Sequence, residues 1–239
     1  MTTTLREIVE GSRRIVFFGG AGVSTESGIP DFRSAAGLYR AGCGDRFPPE
    51  QILSRSFFDD HPEDFFAFYR EHLVHTDARP NPAHRALANL ERAGLLSAVV
   101  TQNIDGLHQA AGSRRVLELH GSVHRNSCLG CGRGYPLAEL LAMPLVPRCA
   151  DCGGVVKPDV VLYEEALDLA VVQAAVSELA AADTLVVGGT SLQVYPAAGL
   201  LQAFTGRHLV LINRDATDYD TLATLTVREP IGEALGWLA

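Results

Sequence analysis

Two cysteine pairs, Cys128-x-x-Cys131 and Cys149-x-x-Cys152, stand seventeen residues apart. Four thiolates at this spacing suit a tetrahedral zinc ion, with two ligands from each tight knuckle. Four protein ligands leave no open position, so such a metal is structural and not catalytic. The other reading of the same residues, two redox dithiols, lacks any thioredoxin-like surroundings. Cys43 is left over and reads as an ordinary loop thiol. A second chemistry lies in residues 16–33, VFFGGAGVSTESGIPDFR. Glycines let a backbone turn tightly and approach a ligand closely. A helix starting just after them would aim free N–H groups at a phosphate. The pattern departs from a dehydrogenase fingerprint: Thr25 stands where a third glycine is expected, and no acidic strand end follows about twenty residues on. A loop with an acid, an aromatic and an arginine, Asp31-Phe32-Arg33, follows instead.

The elements that must hold these residues can be read from the apolar pattern. Ile15–Phe18 reads as a buried strand, residues 4–11 as a leading helix, and 57–75 as apolar at helical spacing, an aromatic cluster that reads as core. Asn81-Pro82 caps and opens a helix to about Ala93, ended by Gly94. Short strands follow at 98–100, 116–119, 185–187 and 209–212, an extended stretch at 160–162, and helices over 165–181 and 230–238. Strands recurring with helices between them predict an α/β fold, a doubly wound parallel sheet. Polar clusters follow the strand ends at Gly19, Gln102, His120, Gly188 and Asn213. In such sheets a ligand lies beyond the carboxyl ends of the strands, so these distant segments are expected in one crevice.

The chain of 239 residues, 47% hydrophobic, suits one large domain or a domain with a modest insertion. A net charge of −8 argues against nucleic acid as a partner and would steer a lysine-rich peptide. The single lysine, Lys157, among many arginines is read as compositional bias. No signal peptide or membrane-length apolar run is present, and five cysteines in such a chain suit metal rather than disulfides, so a cytoplasmic location is expected.

Four blocks carry a resemblance: GAGVSTESGIPDFR at 20–33, TQNIDGLH at 101–108, LHGS at 119–122 and GTSLQVYPAA at 189–198. With the cysteine pairs and INRD at 212–215 they span nearly the whole chain, which resembles the sirtuins, NAD-dependent protein deacylases, in a short bacterial-like core. The resemblance implies a Rossmann-like parallel sheet with helices on both faces, at 1–35, 81–123 and 157–239. A small lobe would come from a helical insertion at 36–80 and a zinc-ribbon module at 124–156. NAD as co-substrate and an acyl-lysine peptide would bind between the lobes, and one zinc ion would be structural.

Carried onto this sequence, His120 matches the general base, and imidazole titrates near the pH that role needs. Asn103 and Asp105 match the catalytic pocket for nicotinamide and ribose, with Gln102 and Ile104 in the same wall. Gly20, Ala21, Gly22, Thr25, Asp31, Phe32 and Arg33 match the cofactor loop, where Phe32 would shield the reacting ribose carbon. Gly189, Thr190, Ser191, Asn213 and Arg214 match contacts to the adenosine half, with a backbone contact at Ile231. The peptide would add as a strand between Val160-Val161-Leu162, with Tyr163, and Leu192-Gln193-Val194. Val161–Glu165 departs from the more usual aromatic-Gly-Glu. Relatives that take succinyl or malonyl lysine carry a Tyr-x-x-Arg pair, which aligns here with Phe66 and Tyr69, so an uncharged acyl group is expected; a shift of one residue would bring in Arg70. Mono-ADP-ribosyl transfer uses the same cleavage with another acceptor, but His120 favours deacylation. An NAD dehydrogenase and a non-enzymatic zinc-ribbon binding module fit less well, the latter because of the acidic charge and the intact cofactor blocks.

Overall fold

A computed structural model describes residues 4–32, 37 and 46–239. Its hub is β1 (Ile15–Gly19), buried along its whole length. Ile15 and Phe17 enter one core cluster, Val16 and Phe18 the other. This is the period of two expected of a strand covered on both faces. β2 (Leu96–Thr101) and β7 (Thr184–Gly188) flank it in parallel. β3 (Val116–Glu118) lies beyond β2, and β8 (His208–Ile212) and β9 (Leu225–Val227) beyond β7. The order β3-β2-β1-β7-β8-β9 reverses direction between β1 and β7. Loops leaving two such neighbours diverge to opposite faces and open a crevice there.

Helices α1 (Leu5–Gly11), α5 (Pro82–Arg92), α8 (Leu169–Ala181) and α9 (Ile231–Leu235) cover the sheet. Asn81 caps α5, its Oδ1 accepting from Ala83 and His84 N–H, with Pro82 in the first turn. A second lobe holds the antiparallel sheet β5-β4-β6, from β4 (Gly121–Cys128), β5 (Gly134–Pro136) and β6 (Val156–Val160), with α7 (Leu137–Ala142). Against it pack α2 (Pro49–Ile52), α3 (Arg55–Asp60) and α4 (Pro62–His72). Phe58, Phe65, Phe66 and Tyr69 share one core with Val123, Tyr135, Leu140 and Val156. Two segments separated in sequence by much of the sheet therefore build one lobe. No helix among the described residues is long and apolar enough to cross a membrane.

Several expectations are corrected. No α-helix follows the glycine turn; two 3-10 turns, Ala21–Val23 and Thr25–Ser27, take its place. Gly28 at φ +83° ends the second, and Pro30 disfavours helical backbone at Ile29. The 57–75 helix is broken at His61-Pro62, because proline lacks the N–H that a continuous helix would need. The 165–181 helix starts later, at Leu169, where Asp168 Oδ1 accepts from Ala170 and Val171 N–H. The last helix ends at Leu235 and continues only as a 3-10 turn, Gly236–Leu238. Helix α6 (Leu107–Ala110) and strands β4, β5 and β9 were not expected at all.

Where α5 meets α6, His84 and His108 are buried with ring centroids 4.8 Å apart. Burial pushes both imidazoles well below the ordinary histidine range. The unfolded chain takes up protons at these residues below about pH 6.5 while the folded chain resists, so stability falls as pH drops through that window. Melting temperature should therefore fall between about pH 7.5 and 5. His108→Leu should lose less over the same interval; an equal loss in variant and parent would contradict this cause.

Candidate active site

Gly20 and Gly22, after β1, run directly against Gly189 and Thr190, after β7. Gly22 N–H donates to Gly189 O at 2.8 Å. A Cβ on Gly22 would stand 2.8 Å from Gly189 Cα, and one on Gly20 2.9 Å from Thr190 Cβ. No side chain fits between these loops, so the glycines are required by close approach. Gln102, after β2, joins them: its N–H donates to Gly19 O at 2.9 Å and its Nε2 to Thr190 Oγ1 at 3.0 Å. Asn213, after β8, accepts from Thr190 N–H and donates to Thr190 O, both at 3.0 Å.

The segment after Gln102 turns back over the cofactor loop. Asn103 Nδ2 donates to Ser24 Oγ at 3.1 Å, and Ser24 Oγ donates to Asp105 Oδ2 at 2.7 Å. Asp105 Oδ1 accepts Leu107 N–H at 2.9 Å, opening α6. The acid is thereby held by both oxygens. Ser24, which the motif matching did not single out, is the hydroxyl that joins the Asn103 and Asp105 side chains.

His120 follows β3. Its Nδ1 lies 3.0 Å from the Gln102 carbonyl oxygen, which can only accept, so Nδ1 carries the proton and Nε2 the lone pair. Burial pushes the His120 pKa below its ordinary value, against the Gln102 hydrogen bond, which favours the charged ring. The imidazole is neutral at pH 7 and can accept a proton. The next residue, Gly121, sits at φ +76°, and a side chain there would overlap the Asp159 carbonyl. His120 O accepts Val161 N–H at 3.0 Å, so the imidazole is tied to the start of the expected peptide segment.

Every cofactor- and peptide-site residue named from the sequence, Arg33 and the buried Leu192 excepted, lines one cavity of about 950 Å³. Arg33 and Cys43 lie outside the described residues. Phe32 packs half-buried on the small-lobe core, as does Ile104. The expected second extended segment is not extended at Leu192, whose φ is +56°. Lys157 is more than composition: it is buried, and its Nζ donates to Val160 O at 2.8 Å and to Glu165 Oε2 at 3.1 Å. Glu165 Oε2 also accepts Leu162 N–H at 2.8 Å, so the pair braces residues 160–162.

From α4 it is His72 and Leu73, with His75 beyond, that face the cavity. Phe66 and Tyr69 lie in the small-lobe core. Arg70 turns away, donating to the carbonyls of Leu140, Leu141, Met143 and Pro144 at the end of α7. Among the described residues, Arg214 is the one arginine or lysine on the cavity wall.

The four cysteines meet in the small lobe, with all Sγ atoms within 4.8 Å of one another. Cys128 and Cys152 Sγ are 3.4 Å apart, Cys131 and Cys149 Sγ 3.6 Å. Thiolates at 2.3 Å around tetrahedral zinc stand about 3.8 Å apart, so the set fits that ion. The Tyr135 hydroxyl donates to Cys149 Sγ at 3.1 Å and lowers that thiol to about 6. At Cys152 the Gly154 N–H favours the thiolate, but the neighbouring thiols drive it up to about 12. Four such groups need a cation to be thiolates together.

A parallel sheet with a glycine cradle at its switch point, one neutral imidazole and a second lobe that gathers four cysteines define a two-lobed α/β protein with a large crevice beyond its strand ends. Within that class the chain belongs to the Sir2 family, whose profile matches residues 20–196. An NAD-dependent protein deacetylase of Cutibacterium acnes is 60% identical, covering 95% of this chain and 93% of its own. Another, of Clostridium acetobutylicum, is 56% identical over 97% and 95%. A solved Sir2 structure, in complex with 2′-O-acetyl-ADP-ribose and deacetylated p53 peptide, is 36% identical with a TM-score of 0.84, covering 96% and 94%.

Proposed function

We propose that the protein is an NAD-dependent protein-lysine deacetylase that releases nicotinamide and O-acetyl-ADP-ribose. The observation that carries this reading is the neutral His120, opening on the same crevice as the glycine cradle and the Asn103–Ser24–Asp105 network. Bound NAD supplies a ribose carbon whose bond to nicotinamide breaks as the acyl oxygen of the substrate attacks it. Asp105 accepts a hydrogen bond from the carboxamide N–H, and Ser24 keeps that carboxylate aimed. Asn103 orients the same ring and the ribose. Phe32 keeps water from the reacting carbon. His120 Nε2 takes a proton from a ribose hydroxyl, which then attacks the acyl carbon. Thr190, Ser191, Asn213 and Arg214 hold the adenosine half, with Ile231 below. Val160–Tyr163 and Val194 hold the peptide.

We assign residues 1–35, 81–123 and 157–239 to the NAD-binding domain, 36–80 to the helical insertion and 124–156 to the zinc module. Cys128, Cys131, Cys149 and Cys152 hold one structural zinc ion. The partners are acyl-lysine proteins, with no nucleic-acid or membrane contact, and the location is the cytoplasm.

The acyl group is uncharged, because α4 offers the cavity no arginine or lysine. Mass spectrometry of a reaction with NAD and matched acetyl- and succinyl-lysine peptides tests both points. The expected result is deacetylated peptide, nicotinamide and O-acetyl-ADP-ribose formed in step, with succinyl peptide turned over at least tenfold more slowly. Faster succinyl turnover would reject the acyl assignment. ADP-ribose added to protein, with the acetyl peptide untouched, would reject deacetylation in favour of transfer.

A further inference from the structure

We propose that Asn81 is a positioning residue for NAD cleavage, acting through the cofactor loop; this rests on the deacetylase reading. Asn81 is 5% exposed and does not line the cavity. Its two ends do different work. Oδ1 accepts from Ala83 N–H at 2.9 Å and His84 N–H at 3.3 Å, which caps α5. Nδ2 donates to Val23 O at 2.7 Å and to Ser27 Oγ at 3.1 Å, in the loop after β1. All four hydrogen-bonding valences of the amide are thus in use.

Capping asks only for an acceptor, which serine or aspartate supplies as well as asparagine. The amide donors are surplus to that task, and both are spent on the loop. Val23 and Ser27 bracket Ser24, whose hydroxyl donates to Asp105 and accepts from Asn103. The chain of contacts runs from the first turn of α5 through the two 3-10 turns to the pocket proposed for nicotinamide. The foot of the chain is rigid: Asn81 N–H donates to His84 Nδ1 at 3.3 Å, and the His84 ring packs on His108, itself against Phe17 of β1. Short 3-10 turns hold themselves with few internal bonds, so an outside anchor decides where their side chains stand.

Asn81→Ser and Asn81→Asp both keep a cap acceptor, and neither can make the two donations; serine does so without adding charge. Each variant and the parent should be compared in melting temperature, NAD and peptide KM, kcat and nicotinamide inhibition. We expect melting within a few degrees of the parent for Asn81→Ser and lower for Asn81→Asp, whose second carboxylate oxygen would face Val23 O, and in both an NAD KM about tenfold higher, nicotinamide inhibition weakened by a similar factor, and a peptide KM unchanged. Tenfold is the scale of one buried hydrogen bond, so it is the share of the two lost donations that should be felt at the pocket. Unchanged NAD KM and nicotinamide inhibition in both variants would overturn the proposal. So would a fall in kcat alone, which marks a loss of folded enzyme. Direct NAD titration of the parent separates the two readings. A parent that binds NAD without deacetylating defeats the activity assignment only, and the Asn81 variants are then read on NAD affinity, with a tenfold loss expected. A parent that does not bind NAD overturns both.

Discussion

Cys128→Ser should leave the protein without zinc and with its small lobe unfolded or loosened, the largest stability loss expected from any single change here. Binding of structural zinc contributes on the order of 10 kcal/mol in small zinc domains, comparable with the whole stability of an ordinary domain. The residue has two connections to lose. Its Sγ is one of four converging thiols, and it is also 3% exposed within the core that contains Phe58, Phe66 and Tyr135. That core is shared by the 46–75 helices and by the sheet carrying the knuckles, so failure at the metal propagates to α4, Phe32 and Ile104 along the cleft. Metal analysis with a melting curve checks this. One zinc per chain and an unshifted melt in the variant would remove Cys128 from the ligand set, and a parent without zinc would exclude the metal reading. Cys131→Ser, at an exposed cysteine of the same cluster, should lose zinc with less damage to packing.

His120→Ala should retain NAD binding and lose deacetylation by about 10²- to 10⁴-fold, the usual contribution of a positioned base. The imidazole contacts the chain through Nδ1 and the Gln102 carbonyl, not through the glycine cradle, so the cofactor loops keep their own hydrogen bonds without it. The parent's pH profile should agree. Burial lowers the His120 pKa, so the neutral, proton-accepting ring persists to more acid pH than a free histidine allows. Activity should stay level through neutrality and fall on the acid side with a midpoint below about 6.5. An acid limb centred above that value, or a variant within tenfold of the parent, would remove His120 from the role of base.

The parts of the fold legible in the chain were those written in local chemistry. Ile15–Phe18 announces a buried strand, Asn81-Pro82 a helix start, and the paired cysteines a pair of tight turns bearing thiols, because each is set by neighbours a few residues away. Strand β4 was invisible for the opposite reason. GSVHRNSC has little apolar alternation, and it pairs with β6 through residues more than twenty positions on. The helix expected after the glycine turn failed because the turn is governed by contacts to Gly189 and Asn81, not by its own propensity. Tyr69 and Phe66 were placed at the acyl end by alignment, but a helix has a face, and packing turned His72 and Leu73 to the cavity instead.

By itself, then, the sequence determined the family, the alternating α/β order and the four cysteines that converge in the small lobe. Those depend on residue type and spacing along the chain, which tertiary structure does not alter. The tertiary structure alone decided that two distant segments share one core, that Arg70 serves the end of α7, that Lys157 braces the proposed peptide segment, and that Asn81 joins a helix cap to the cofactor loop. Each of these turns on where a side chain of many possible rotamers finds its partner, and that partner is brought near only when the chain has folded.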